Sequence, residues 1–204
     1  MKTLFIPVYS TQKLQNLKIL SKKLPKNIAI FYSVQFKTQA EEIKNYLKKS
    51  KSISQFSQIL GCSSPKISPS TKAVLLVGSG KFHALALNLE TPIFLFSDNR
   101  LSKIDKKEFE HLNKKKKAAY LNFLNSEKTG ILISTKPGQQ NLQKAVYFKK
   151  SSPKKQFYLF LGNNLTPSEF ENFPEIKSWV NTACPRLSED NARIVNLGDL
   201  SEYF

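Results

Sequence analysis

The sequence predicts an α/β protein made of two successive small parallel-sheet domains. Three observations lead there: short apolar runs recur along the whole chain, amphipathic segments with helical spacing separate them, and small or polar residues gather just past the runs. Near-continuous apolar runs suit strands buried on both faces of a sheet, and their alternation with helical patterns gives a βαβα rhythm.

In chain order the strand candidates are Leu4-Phe5-Ile6, Ile28 to Phe31, Ala73 to Val77, Ile93 to Phe96, Ile131 to Ile133, Phe157 to Leu161 and Trp179-Val180. Helical patterns fall at 11–24, 36–49, 104–127 and 139–149, the first marked by Leu14, Leu17, Leu20 and Leu24. Thr166-Pro167-Ser168-Glu169 supplies an N-cap hydroxyl, a first-turn proline and a glutamate at the third position, so a short helix is expected over 167–172. With 204 residues the chain suits two compact domains, 1–103 and 104–204, the second entered by a long connecting helix at 104–127.

Composition excludes several classes. A hydrophobic content of 40% with 23% charged residues is that of a globular chain, neither disordered nor fibrous. No stretch reaches the roughly 18 apolar residues of a membrane span, and the opening MKTLFIPVYS breaks at Pro7 before a secretory core is complete, so no membrane association and a cytoplasmic location are expected. The net charge of +17 allows a nucleic-acid or other acidic partner. Yet of 32 basic residues only Arg100, Arg186 and Arg193 are arginine, the side chain best suited to bidentate phosphate contacts. The run Lys114 to Lys117 shares a helical pattern with Leu112, Ala118, Ala119, Leu121 and Phe123, and reads as a solvated helix face.

The polar and special residues concentrate past strand ends: Gly78-Ser79-Gly80, Thr135-Lys136-Pro137-Gly138 and Cys184-Pro185-Arg186. In open parallel sheets that edge binds ligands, because loops diverge there. Cys62 ends an apolar stretch in the same manner. Each loop also has a plainer reading. The glycines serve as turn residues, Lys136 sits in solvent, and Arg186 pairs with Glu189 or Asp190; His83 is a hydrogen-bonded core histidine, and His111 lies on a charged helix. Gly-Ser-Gly lacks the third glycine of a dinucleotide fingerprint. Cys62 and Cys184 are the only cysteines, and neither has a CxxC or CxxH spacing, so spacing does not join them at one site.

Four blocks together resemble the diphthamide synthase family: Ile59 to Pro65 (ILGCSSP), Val77 to Leu85 (VGSGKFHAL), Gly130 to Gln139 (GILISTKPGQ, in its archaeal form) and Phe173 to Leu187 (FPEIKSWVNTACPRL). The resemblance runs through the chain in the family's order. It implies three related α/β domains, each giving one cysteine to a central four-iron four-sulfur cluster, of which this chain resembles the second and third. Cys62 and Cys184 then correspond to two cluster ligands. The activity implied is transfer of a 3-amino-3-carboxypropyl group from S-adenosylmethionine to a histidine of elongation factor 2 by radical chemistry, the first step of diphthamide biosynthesis. Gly78, Gly80 and Gly138 would allow close backbone approach to S-adenosylmethionine, and Thr135, Gln139 and Arg186 would hold its polar ends.

The chain departs from that pattern in having no counterpart of the first domain. The expected partners are therefore a chain carrying that domain and the third cysteine, an electron donor protein, and elongation factor 2. Met1 ahead of a clean strand pattern favours a split gene over a truncated piece or a degenerate subunit. The alternatives are a basic RNA- or ribosome-binding module and a non-catalytic scaffold for elongation factor 2.

Overall fold

The structure is a computed structural model that describes residues 3–151, 155–189 and 191–200. It divides into two compact units, one reaching to Phe109 and the other beginning at Glu110. The division falls within the long helix itself.

The first unit is a five-stranded sheet in the order β2-β1-β3-β4-β5, where β1 is Asn27–Tyr32, β2 Ser52–Gln58, β3 Ala73–Val77, β4 Ile93–Ser97 and β5 Arg100–Lys103. β1 to β4 run parallel and β5 pairs antiparallel with β4. Alternate residues of β1 and β3 point to opposite faces. Ile28, Ile30, Leu75 and Val77 pack on one side with Leu20 of helix α1 (Lys18–Lys23) and Ile43 and Leu47 of α2 (Lys37–Leu47). Ala29, Phe31, Val74 and Leu76 pack on the other with Ala84 of α3 (Phe82–Ala86). Cover on both faces explains why these strands are uninterrupted apolar runs.

The second unit is a four-stranded parallel sheet, β7-β6-β8-β9, with β6 at Lys128–Ser134, β7 at Gln156–Gly162, β8 at Ser178–Asn181 and β9 at Ile194–Asn196. One face packs Ile131, Ile133 and Val180 on Ala119 and Phe123 of α4 (Lys106–Asn125) and Ala145 and Phe148 of α5 (Leu142–Ser151). The other gathers aromatics about Trp179, which stacks on Phe170 at 4.5 Å between ring centroids and meets Phe160 edge-on at 4.8 Å. Gly130 makes room for that ring, because a Cβ there would stand 2.3 Å from Trp179. Lys155 closes the carboxyl end of α4, its Nζ donating to the carbonyls of Phe123, Leu124 and Ser126. Desolvation holds its pKa below the usual lysine value.

Several expectations need correction. The helix expected over 11–24 begins only at Lys18, because Asn16 takes a left-handed backbone (φ 58°) that no helix continues through. Residues 10–15 instead form no regular element and are held to the first unit by Ser10 N–H to the Gln35 carbonyl and by Asn99, which accepts from Gln15 and donates to the Lys13 carbonyl. Leu4-Phe5-Ile6 forms no strand and lies in solvent. The short helix expected over 167–172 is present as a 3-10 helix, Pro167–Asn172, but lacks the expected side-chain cap. There the backbone bond from Glu169 N–H to the Thr166 carbonyl closes the first turn, and the Thr166 hydroxyl caps nothing. Antiparallel β5 departs from a purely parallel first sheet, turning back through Asp98 and Asn99, both at positive φ as a type I′ hairpin requires.

Candidate functional site

Strand order locates the natural ligand positions. In the first sheet the connection after β1 runs one way to β2 and the connection after β3 runs the other way to β4, so the crevice past the ends of β1 and β3 is the topological switch point. Ser33 and Gly78 stand at it, with Ser33 N–H donating to the Val77 carbonyl at 3.2 Å. Gly78 is buried, and a Cβ there would meet Ser33 Oγ at an ordinary 3.5 Å, so packing does not demand a glycine. Gly80 does need one, its φ of 68° being a conformation that side chains disfavour.

Cys62 lies past β2, one strand away from that crevice, and is exposed. Its loop is braced by an aromatic ring. A Cβ on Gly61 would stand 2.1 Å from Phe82, so the ring at the start of α3 lies directly against the Gly61 backbone. The Ile59–Pro65 and Val77–Leu85 segments therefore meet, glycine against aromatic. Ser63 Oγ accepts from Leu60 N–H at 2.8 Å and tightens the turn. His83 is half-buried beside Phe82, their rings 5.3 Å apart and edge-on.

In the second sheet the switch point lies between β6 and β8. Thr135 to Gln139 follow β6 and Cys184 follows β8, so both loops open on the same crevice. A cleft of about 290 Å³ there is lined by Lys136, Gln139, Asn163, Cys184 and Arg186 among others. The structure thus joins Gln139, Cys184 and Arg186. Thr135 and Gly138 belong to the same loop but are exposed and line no part of the cleft, whereas Lys136, assigned to solvent from its context, is half-buried at the cleft wall. Gly138 adopts φ 78°, a conformation that side chains disfavour, and a Cβ there would meet open space.

The backbone at Cys184 is held by polar groups that carry no signal in the sequence. Asn181, 2% exposed, donates from Nδ2 to the Cys184 carbonyl at 2.9 Å and to Asn196 Oδ1 at 2.8 Å, and accepts from Ala183 N–H at 2.9 Å. Asn196 donates onward to Ser188 Oγ and Asp199, and Asp199 pairs with Lys116 at 3.0 Å. Thr182 donates to the Leu132 carbonyl, and its own carbonyl accepts from Asn141 at 2.7 Å, linking the two loops. Within the lysine run, Lys116 is thus half-buried and engaged with Asp199, while Lys114, Lys115 and Lys117 are exposed as a solvated helix face requires, Lys115 reaching the Glu189 carbonyl at 3.4 Å.

Each unit brings one cysteine to the carboxyl edge of its sheet. Thiolates are the soft, electron-donating ligands that iron–sulfur clusters take, and a four-iron cluster is usually held by three or four of them. The two cysteines fit as part of such a set. Among the described residues no group of three or more His, Cys, Asp or Glu side chains converges to hold a metal. No helix of the described residues is long and apolar enough to cross a membrane.

Comparison with known proteins decides the family. A family model described as "Putative diphthamide synthesis protein" matches residues 1–194. This chain belongs to that family. It is 29% identical over 140 residues to human 2-(3-amino-3-carboxypropyl)histidine synthase subunit 1, a match covering 65% of the chain and 32% of the human protein. To the 2-(3-amino-3-carboxypropyl)histidine synthase of Pyrococcus horikoshii it is 26% identical over 210 residues, covering 93% of the chain and 60% of the archaeal protein. The crystal structure of Dph2 from Pyrococcus horikoshii superposes with a TM-score of 0.77 at 25% identity, over 92% of this chain and 59% of that one. The same protein with a 4Fe-4S cluster gives 0.76, also at 25% identity, over 89% and 58%. The chain therefore spans about a third of the human relative and about three-fifths of the archaeal one, and shares the mixed α/β fold with parallel sheets of the archaeal structure.

Proposed function

We propose that this chain is a subunit or part of a 2-(3-amino-3-carboxypropyl)histidine synthase, acting in diphthamide biosynthesis on a histidine of elongation factor 2 with S-adenosylmethionine as the group donor. The observation that carries this reading is Cys184 at the switch point of the second sheet, on the wall of a cationic cleft, in a fold shared with a cluster-bearing relative. Cys62 and Cys184 would give thiolates to a four-iron four-sulfur cluster together with donors from outside these residues. A bound cluster supplies the single electron that cleaving a carbon–sulfur bond of a sulfonium requires.

The chain's own residues bind and orient. Lys136 and Arg186 face the cleft and would neutralise the carboxylate of S-adenosylmethionine, with Arg186 offering a bidentate fork. Gln139 and the carbonyls of the turn would accept from its amino group. At about 290 Å³ the cleft is at the small end of ligand sites, which run from roughly 300 to 1,000 Å³. It has room for the amino-acid end of the donor rather than for the whole molecule. The Asn181 network fixes the Cys184 carbonyl and so the backbone that carries the thiol, which limits reorganisation when a ligand arrives.

The test is anaerobic purification of the tagged full chain from cells of the source organism, with iron analysis and an assay of group transfer to elongation factor 2. Iron and transfer that both disappear in the Cys184→Ala chain support the reading. A wild-type preparation without iron, or a Cys184→Ala chain that keeps its activity, overturns it.

A further inference from the structure

Residues 4–9 read Leu-Phe-Ile-Pro-Val-Tyr, an apolar run of the kind found in β1 and β3, which this fold buries on both faces. Here the segment is in solvent. Leu4 is 82% exposed, Phe5 73%, Ile6 74% and Val8 69%, so three successive apolar side chains, which in an extended chain point to alternate faces, all lack cover. No hydrogen bond among the described residues involves 3–9, while from Ser10 onward the chain is tied to the first unit through Gln35, Gln39 and Asn99. The family match begins at residue 1, so the segment belongs to the family pattern. Yet the matched archaeal structure holds a further two-fifths of its length that this chain does not span.

We propose that residues 4–9 are a docking strand for an α/β unit of the diphthamide synthesis family outside these 204 residues, added along an edge of that unit's sheet. An apolar pair of faces calls for a sheet covered by helices on both sides, which excludes a bare one-sided sheet. Pro7 has no N–H to give, which suits an edge position, where one side of the strand bonds and the other faces away from the ladder. Three residues before the proline suffice, since β9 is no longer than that. Main-chain pairing would give the segment its affinity, and the alternating Leu4, Phe5 and Ile6 side chains its register. The inference rests on family membership and not on the cluster chemistry.

The experiment places a photo-crosslinking p-benzoylphenylalanine at Phe5 of the tagged full chain in cells of the source organism and sequences the crosslinked peptides. The expected product joins position 5 to a strand of a diphthamide synthesis family sequence outside residues 1–204. Crosslinks confined to this chain, whether within one molecule or between two copies, overturn the proposal, as does the absence of any crosslink. A Phe5→Asp/Ile6→Asp chain supplies the second readout. It is expected to keep its melting temperature, because the segment is exposed and joins none of the hydrophobic clusters, and to lose recovery of that family sequence about tenfold or more, the loss expected when docking weakens by about 1.4 kcal/mol. Unchanged recovery overturns the proposal, and so does a lowered melting temperature, which would place the segment in the chain's own core. Docking without iron would sink the cluster reading alone, and iron without docking would sink the strand alone.

Discussion

The two cysteine loops are built on different principles. Both units press an aromatic ring against a glycine, but in the first the pair is Phe82 on Gly61, next to Cys62, whereas in the second it is Trp179 on Gly130, inside the sheet and away from Cys184. The Cys62 loop is therefore held by that half-buried ring and by the short turn from Leu60 to Ser63, with no buried polar side chain among the described residues beneath it. The Cys184 loop hangs from a buried asparagine in a chain of hydrogen bonds that ends in the Lys116–Asp199 ion pair. A ring can slide along a backbone at small cost, while a buried amide satisfied on every side has one arrangement. The second unit thus presents its cysteine preorganised, and the first presents one whose position is open to adjustment.

The largest effect should come from removing the glycine whose ring cannot move. Trp179 is 1% exposed and wedged between Phe160 and Phe170, so Gly130→Ala forces overpacking in the central strand, costing about 3 kcal/mol. Chemical denaturation should show the second unit melting early with the first unchanged. Equal loss in both units would break the contrast.

Asn181→Ala comes next. It strips partners from the Cys184 carbonyl, Ala183 N–H and Asn196, and should cost about 2 kcal/mol. The more telling readout is the rate at which a maleimide labels each thiol. Cys184 should label several-fold faster than in the wild type, and Cys62 should not change. An unaltered Cys184 rate would mean that the network stabilises the loop without orienting the cysteine.

These two residues also mark what could be read from the sequence. The buried strands of both sheets were legible because cover on both faces writes an unbroken apolar run, and the loops at their carboxyl ends followed from them. Of the edge strands β7 was legible as the run Phe157 to Leu161, but β2, β5 and β9 were not. β2 (Ser52–Gln58) is only partly covered and carries Ile53 and Phe56 among serines and glutamines, with a register irregularity that breaks strict alternation. β5 and β9 are too short to show a period. Leu4-Phe5-Ile6 failed in the opposite sense, since its pattern is that of a strand but these residues supply no sheet for it. At the site, Cys62 and Cys184 stood out by rarity and by family resemblance. Asn181 did not, because an asparagine after a strand reads as a turn residue, and its role exists only through Asn196 on the neighbouring strand. Gly61 was hidden for a similar reason, since its need for a bare backbone comes from a ring some twenty positions away.

Gly61→Ala tests the weaker of the two supports. Phe82 is only half-buried, so the ring can swing aside, and the cost should be about 1 kcal/mol. Amide exchange should nonetheless quicken across both Ile59–Pro65 and Val77–Leu85, because the contact joins them. Faster exchange in the first segment alone would show that Phe82 braces nothing.

The smallest effect concerns Lys155, the cap on α4 in the better-fixed unit. Burial of its ammonium lowers the folded-state pKa below the ordinary 10.5, so just under that pH the unfolded chain binds more protons than the folded one. The slope of unfolding free energy against pH from this group is therefore positive, and stability lost to desolvating the charge is recovered as the pH rises toward 10.5. Lys155→Arg keeps a charge throughout and cannot recover it. Wild type and variant should thus diverge in melting temperature as the pH climbs from 8 toward 10.5, in favour of the wild type. Parallel curves would mean that the three carbonyls receiving Nζ fully offset its burial, making the cap as well solvated as water would make it.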